Sequence, residues 1–215
     1  MERRNVSQWK KRLFQYFLAA AAVMLSVLWG IYIGLGFGLF KPWAGKILKQ
    51  PLSGRAEKDL SYQNITIEEL RSLEEREKDG TTGLSAVAAW RIAEAKTVRD
   101  GTSGKTAETG VVFVYGPLEL AFPSRVMSGS LGQYLGKREC VLTETLSWNL
   151  FGSVDTQGCE LIYADTAYRV AAVVERKESI LFLPAWEGAA QRAAFAFQSG
   201  ERLDEKMEAL GFSSD

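Results

Sequence analysis

Three pairs of side chains in this sequence are of types that could carry chemistry: Ser85 with Lys96, Glu144 with Asp155, and Cys140 with Cys159. A serine deprotonated by a neutral lysine is a nucleophile, and two carboxylates held at unequal pKa can divide the work of general acid and base. Neither the Ser-Lys pair nor the carboxylate pair sits in a catalytic motif, and the 215-residue chain contains no histidine. That absence removes the commonest general base and the commonest metal ligand together, and with them Ser-His-Asp, Cys-His, zincin-type and mixed Cys/His zinc sites. The stretch Asp100-Gly101-Thr102-Ser103-Gly104-Lys105-Thr106 ends like a phosphate-binding loop, but two residues rather than four separate its glycines. A strand also follows it where a helix N-terminus is needed, so it reads as a hairpin connection. The expectation is a protein without catalysis, cofactor or metal. The two cysteines can form a disulfide in an oxidising compartment or remain small thiols on neighbouring strands, and spacing leaves both open.

These residues follow an apolar run from Leu13 to Phe40, broken only by Gln15 and Ser26. Its 28 residues exceed the roughly 20 that a helix needs to cross about 30 Å of hydrocarbon, so residues 13–40 read as a transmembrane helix. Arg3, Arg4, Lys10, Lys11 and Arg12 form a basic tail over residues 1–12, which places the N-terminus in the cytoplasm and the rest outside the cell membrane. The run is too long for a signal-peptide core and no good small-x-small cleavage site follows, so it reads as an uncleaved anchor. Trp43 is well placed to sit at the headgroup layer. Gly30, Gly34 and Gly38 recur at every fourth residue, a spacing that lets another helix approach closely and that is also frequent in membrane helices generally.

The net charge of zero hides a division, because from Pro51 onward 18 basic residues face 25 acidic ones, a net −7. A nucleic-acid partner is excluded, since phosphate neutralisation needs clustered positive charge. Residues 41–63 mix Lys, Gly, Pro and Ser and read as a juxtamembrane linker, leaving residues 64–215 as one domain.

Within that domain Thr66 and Glu69 are spaced as a capping box, opening a helix that runs to about Lys78 and stops at Asp79-Gly80. The same Asn64-Ile65-Thr66 also matches a glycosylation sequon, and the helix start is the more economical reading. The charge run Glu74-Glu75-Arg76-Glu77-Lys78 reads as an exposed helix face. Leu84 to Thr97 reads as a helix by its alanine content or as a strand by its alternation, the strand being preferred, and strands are expected over Val111 to Tyr115, Cys140 to Leu142, Cys159 to Tyr163, Ala167 to Val174, Ser179 to Leu183 and Ala193 to Gln198. Tyr168, Val170, Ala172 and Val174 alternate and are expected on one face of their strand. Short helices are expected from Glu144 to Phe151, capped by Thr143 and closed by Gly152, and from Glu201 to Leu210. This alternation specifies an α+β domain with a mixed sheet.

The segment Cys140-Val-Leu-Thr-Glu-Thr-Leu-Ser-Trp-Asn-Leu-Phe-Gly-Ser, with Gly158 and then Tyr168-Arg-Val-Ala-Ala-Val-Val, resembles the MacB-like periplasmic core domain of ABC transporter permeases of the MacB and FtsX-like group. The resembling positions are Leu150, Phe151, Gly152, Gly158, Tyr168, Val170 and Val173, and Pro123 to Gly129 resembles a segment preceding this unit. The motif reads as structural, with Leu150 and Phe151 burying the short helix and the two glycines permitting tight reversals. The resemblance implies a domain outside the membrane that transmits ATP-driven motion and works with an ABC ATPase and multi-span permease subunits. Such permeases carry three further membrane helices after the core domain, whereas no run long enough to span follows Phe40. The expected function is therefore a single-pass, membrane-anchored component of an ABC-type export or mechanotransmission system. The alternatives are a stand-alone extracytoplasmic binding module and a truncated permease fragment.

Overall fold

A computed structural model describes residues 54–212 except Asp79 and Thr81. The expected span over residues 13–40 and the stripe of Gly30, Gly34 and Gly38 lie outside the described residues; among those described, no helix is long and apolar enough to cross a membrane.

The chain forms β1 (Arg55–Asp59), α1 (Ile67–Glu77), β2 (Leu84–Asp100), β3 (Thr106–Tyr115), α2 (Leu118–Ala121), β4 (Val126–Gly129) and β5 (Glu139–Thr143). It continues through α3 (Glu144–Phe151), β6 (Glu160–Tyr163), β7 (Thr166–Val174), β8 (Ile180–Pro184), β9 (Arg192–Phe197) and α4 (Leu203–Ala209). The strands make one mixed sheet in the order β1-β9-β2-β3-β8-β5-β7-β4, with β3–β8 and β5–β7 parallel. The α+β expectation holds for this domain. The β6 strand pairs with both β7 and the far end of β2, so β2, β3, β8, β5, β7 and β6 close a ring of six strands.

Strand alternation sorts the core into two faces. On one face Trp90, Val112, Val114, Val141, Phe182 and Ala194 pack with Leu118, Leu120 and Ala121 of α2. The other face is divided. Val87, Ala89, Ala193 and Phe195 pack beneath Ile67, Leu70 and Leu73 of α1 and Met207 and Leu210 at the end of α4. All six strands of the ring contribute to the remaining cluster, in which Val98, Val111, Leu142, Leu161, Val173 and Leu181 surround Leu146 and Leu150 of α3. Strand β2 serves both clusters by means of an irregularity between Ala93 and Lys96, which shifts its register against β3 and reverses which residues face inward.

Four expectations are corrected. Arg55–Asp59, read as part of a linker, is the edge strand β1, paired with β9 from Arg55↔Ala196 to Asp59↔Arg192. Its charged alternation suits an edge, where charge discourages further pairing. Tyr168, Val170, Ala172 and Val174 do not share a face, because the β5–β7 register shifts as Cys140↔Val170 is followed by Val141↔Ala172. Ala171 is the extra residue, so Val170 and Val173 face the ring interior while Ala172 and Val174 face α2. Thr143 precedes α3 but does not cap it through its side chain; its hydroxyl instead accepts from the Ile180 amide at 3.0 Å. Gly80 does not take a left-handed conformation after α1, and Gly83 does, at φ 69°.

Candidate functional site

Helix α1 begins as its sequence dictates: the Glu69 amide donates to Thr66 Oγ1 at 3.2 Å, and the Thr66 amide donates to Glu69 Oε2 at 2.8 Å. With the start fixed and Ile67, Leu70 and Leu73 buried, Arg71, Glu74, Glu75 and Lys78 fall at i, i+3, i+4 and i+7 along one flank. Glu74 stands at the margin of the buried stripe and turns inward. Its Oε1 accepts from the Val87 amide at 3.2 Å, and its Oε2 accepts from the hydroxyls of Tyr115 at 2.8 Å and Tyr134 at 3.1 Å.

Tyr115 ends strand β3 and is almost wholly buried, whereas Tyr134 comes from the loop before β5 and is half-exposed; their ring centroids lie 5.5 Å apart. Burial, and after it the Glu74 carboxylate, pushes the pKa of both phenols up. Both therefore stay protonated and act as donors, not bases. Beside them opens a cleft of about 350 Å³, lined also by Arg71, Glu75, Lys78, Leu84, Ser85, Gln133 and Trp186. Its aromatic rings and charged side chains of both signs can hold a ligand by contact and electrostatics, and no nucleophile is activated there. Ser85 donates its hydroxyl to the Ala196 carbonyl at 2.9 Å.

The sequence-level reading of the helix flank as merely exposed missed Glu74. The signal that would have found it is its spacing from Ile67 and Leu70, at i+7 and i+4. A second cleft, about 470 Å³, lies beside the bulge at Ala171; its charged pair, Arg169 and Glu139, is bound to itself at 3.2 Å.

The other chemistry-bearing pairs do not meet. Ser85 and Lys96 lie on the same strand, eleven residues apart, which is roughly 35 Å of extended chain. Glu144 begins α3, and Asp155 lies in the loop after it, where it accepts from the Ser128 hydroxyl at 3.2 Å. Cys140 and Cys159 are free thiols. Val170 stands between them: it is the register partner of Cys140 on β5, and its amide donates to the Cys159 carbonyl at 2.9 Å. Two interstrand spacings amount to about 9–10 Å, beyond the reach of a disulfide. Burial, and secondarily the nearby Glu139, pushes the Cys140 thiol up to about 12.

The residues that carried the resemblance gather in the six-strand ring. Leu150 is buried against Leu146 and Val173, and Phe151 and Tyr168 pack at its margin. Gly152 ends α3 at φ 68°, its amide donating to the Trp148 carbonyl at 3.0 Å. The Gly158 amide donates to the Val170 carbonyl at 2.8 Å, locking the turn before β6 onto β7. The three-residue interval from Val170 to Val173 is the sequence trace of the Ala171 bulge.

No family model and no curated protein matches the chain. Among solved structures, the chain is similar to the periplasmic region of MacB from Actinobacillus actinomycetemcomitans, at 14% identity and a TM-score of 0.55, covering 78% of this chain and 91% of that one. It is also similar to the extracellular domain of the noncanonic ABC-type transporter YknZ from Gram-positive bacteria, at 15% identity and a TM-score of 0.51, covering 71% and 82%. The domain thus has the fold of a MacB-like periplasmic core domain, as the motif in the ring implied.

Proposed function

We propose that this chain is a membrane-anchored component of an ABC-type export or mechanotransmission system and acts through an extracytoplasmic domain without catalysis of its own. The observation that carries the reading is the shared fold, which spans nearly the whole of the MacB periplasmic region. The apolar run from Leu13 to Phe40 supports the anchor, and the basic tail before it supports an outward-facing domain. The sheet supports a mechanical role: β2 runs for 17 residues through both halves of the core, so a single strand links the two. The separation of Ser85 from Lys96 along β2 supports the absence of catalysis. The partners are then an ABC ATPase and multi-span permease subunits, reached through the membrane or through the domain surface. This assignment of partners is a fold-level analogy.

One observation favours a second reading. The cleft beside α1 is a recognition site in form, and a stand-alone extracytoplasmic binding module would use it without any ATPase. The two separate experimentally. The full chain, tagged at its C-terminus, is cross-linked in native membranes, solubilised gently and analysed by mass spectrometry. Recovery of an ABC ATPase or multi-span permease above an untagged control supports the transporter role; repeated recovery of the chain alone supports the binding module.

A further inference from the structure

We propose that the cleft beside α1 binds a small zwitterion, its ammonium end against the Tyr134 and Trp186 rings and the Glu74 and Glu75 carboxylates, and its anionic end at Arg71, one helical turn before them. The volume of about 350 Å³ falls within the range of small-molecule sites. The charges give the more specific argument. Arg71 with Glu75, and Glu74 with Lys78, stand at i and i+4, the spacing at which opposite charges on a surface helix ordinarily pair. Among the described residues none of the four makes an ion pair. Glu74 is instead drawn inward by three neutral donors at the cleft floor. Two positive and two negative side chains, none of them ion-paired among the described residues, therefore line one cleft.

A ligand of a single sign would meet two like charges at close range, whereas a zwitterion meets an opposite charge at each end. The aromatic walls fix which end goes where. Tyr134 and Trp186 are each more than a third exposed, and the electron-rich face of such a ring attracts an ammonium and not an anion. The inference does not rest on a transporter partner, and the two can fail separately.

The test uses the full chain in maltoside micelles, which carry no choline, with phosphocholine as the probe and the tryptophan indole NMR signals as the readout. Trp186 is assigned with Trp186→Phe, and the buried Trp90 indole reports that each variant remains folded. The expected result is a saturable shift of Trp186 but not of Trp90. Arg71→Ala, and separately choline or inorganic phosphate used alone, are each expected to show about tenfold weaker binding or less, equivalent to ~1.4 kcal/mol. The proposal is overturned by no saturable shift up to about 20 mM phosphocholine, well beyond the millimolar range of weak specific sites. It is equally overturned if choline alone binds as tightly or if Arg71→Ala changes nothing. Nanodiscs distinguish the source: a Trp186 signal already shifted in phosphatidylcholine but not phosphatidylglycerol identifies a lipid headgroup, and a shift only on adding phosphocholine identifies a free zwitterion.

Discussion

The two halves of the divided sheet face are built on opposite plans. The six-strand ring is apolar and closed. Every strand sends an aliphatic side chain inward, and its polar side chains Ser147 and Thr156 satisfy one another at 3.0 Å while Ser147 also donates to the Ser153 carbonyl at 2.7 Å. The half under α1 is equally apolar at its base but opens at its flank into a cleft where a carboxylate, two phenols and unpaired charges meet. The recognisable motif lies entirely in the first half, and the features suited to binding lie in the second. A resemblance carried by packing residues identifies a fold; the part of the surface that chooses a partner has to be read from its own chemistry.

The contrast is broken most forcefully inside the ring. Leu150→Ala empties a site that is 1% exposed and should cost about 2–5 kcal/mol in urea unfolding. A loss below about 1 kcal/mol would show that the ring is not the packed half. Gly129→Ala attacks the bulge from outside: at φ 79° an added Cβ would stand 2.1 Å from the Ala171 carbonyl oxygen, so a loss of about 2–3 kcal/mol is expected from strain. Ser147→Ala leaves the Ser153 carbonyl and the Thr156 hydroxyl without their partner and should cost about 1–2 kcal/mol by the same assay.

The Cys140 thiol gives the ring a pH signature. In the unfolded chain it loses its proton near pH ~8.5, whereas in the fold it holds the proton to about 12. Above pH ~8.5 the unfolded state therefore binds fewer protons than the native state, so this contribution to stability is complete below that pH and falls as pH rises toward 12. The urea midpoint should drop between pH 8 and 11, and the drop should be shallower in Cys140→Ala; equal slopes would remove the thiol from the account. The smallest effect belongs to the cleft. Tyr134→Phe removes one of three donors to Glu74 and should cost only about 0.5–1.5 kcal/mol, leaving the ring's hydrogen-exchange protection unchanged. Loss of protection in the ring would mean that the halves are not independent.

The same division explains what the sequence discloses. Most strands were legible because β-branched and aromatic runs need burial, and the helix starts and stops were legible where Thr66 and Gly152 fix them locally. The edge strand Arg55–Asp59 was not, because its charged residues resemble a linker until β9 is there to pair with them. The single-turn α2 is shorter than any periodicity can reveal. The bulge at Ala171 was hidden in an apparently alternating strand, since only the partner strand defines which residue is extra. The cleft was the least legible part. Glu74, Tyr115, Tyr134 and Trp186 come from four separate stretches of chain, and no local pattern announces that they converge.

Both functional readings, transport component and binding module, require the domain to stand outside the membrane. Tyr62 is 94% exposed and lies in the turn between β1 and α1, so Tyr62→Cys, in a chain whose native cysteines are changed to alanine, offers a thiol without placing a polar group in the core. The measurement is its labelling by a membrane-impermeant maleimide in intact cells against lysed cells. Equal labelling in the two is the predicted result, and labelling only after lysis would contradict the account.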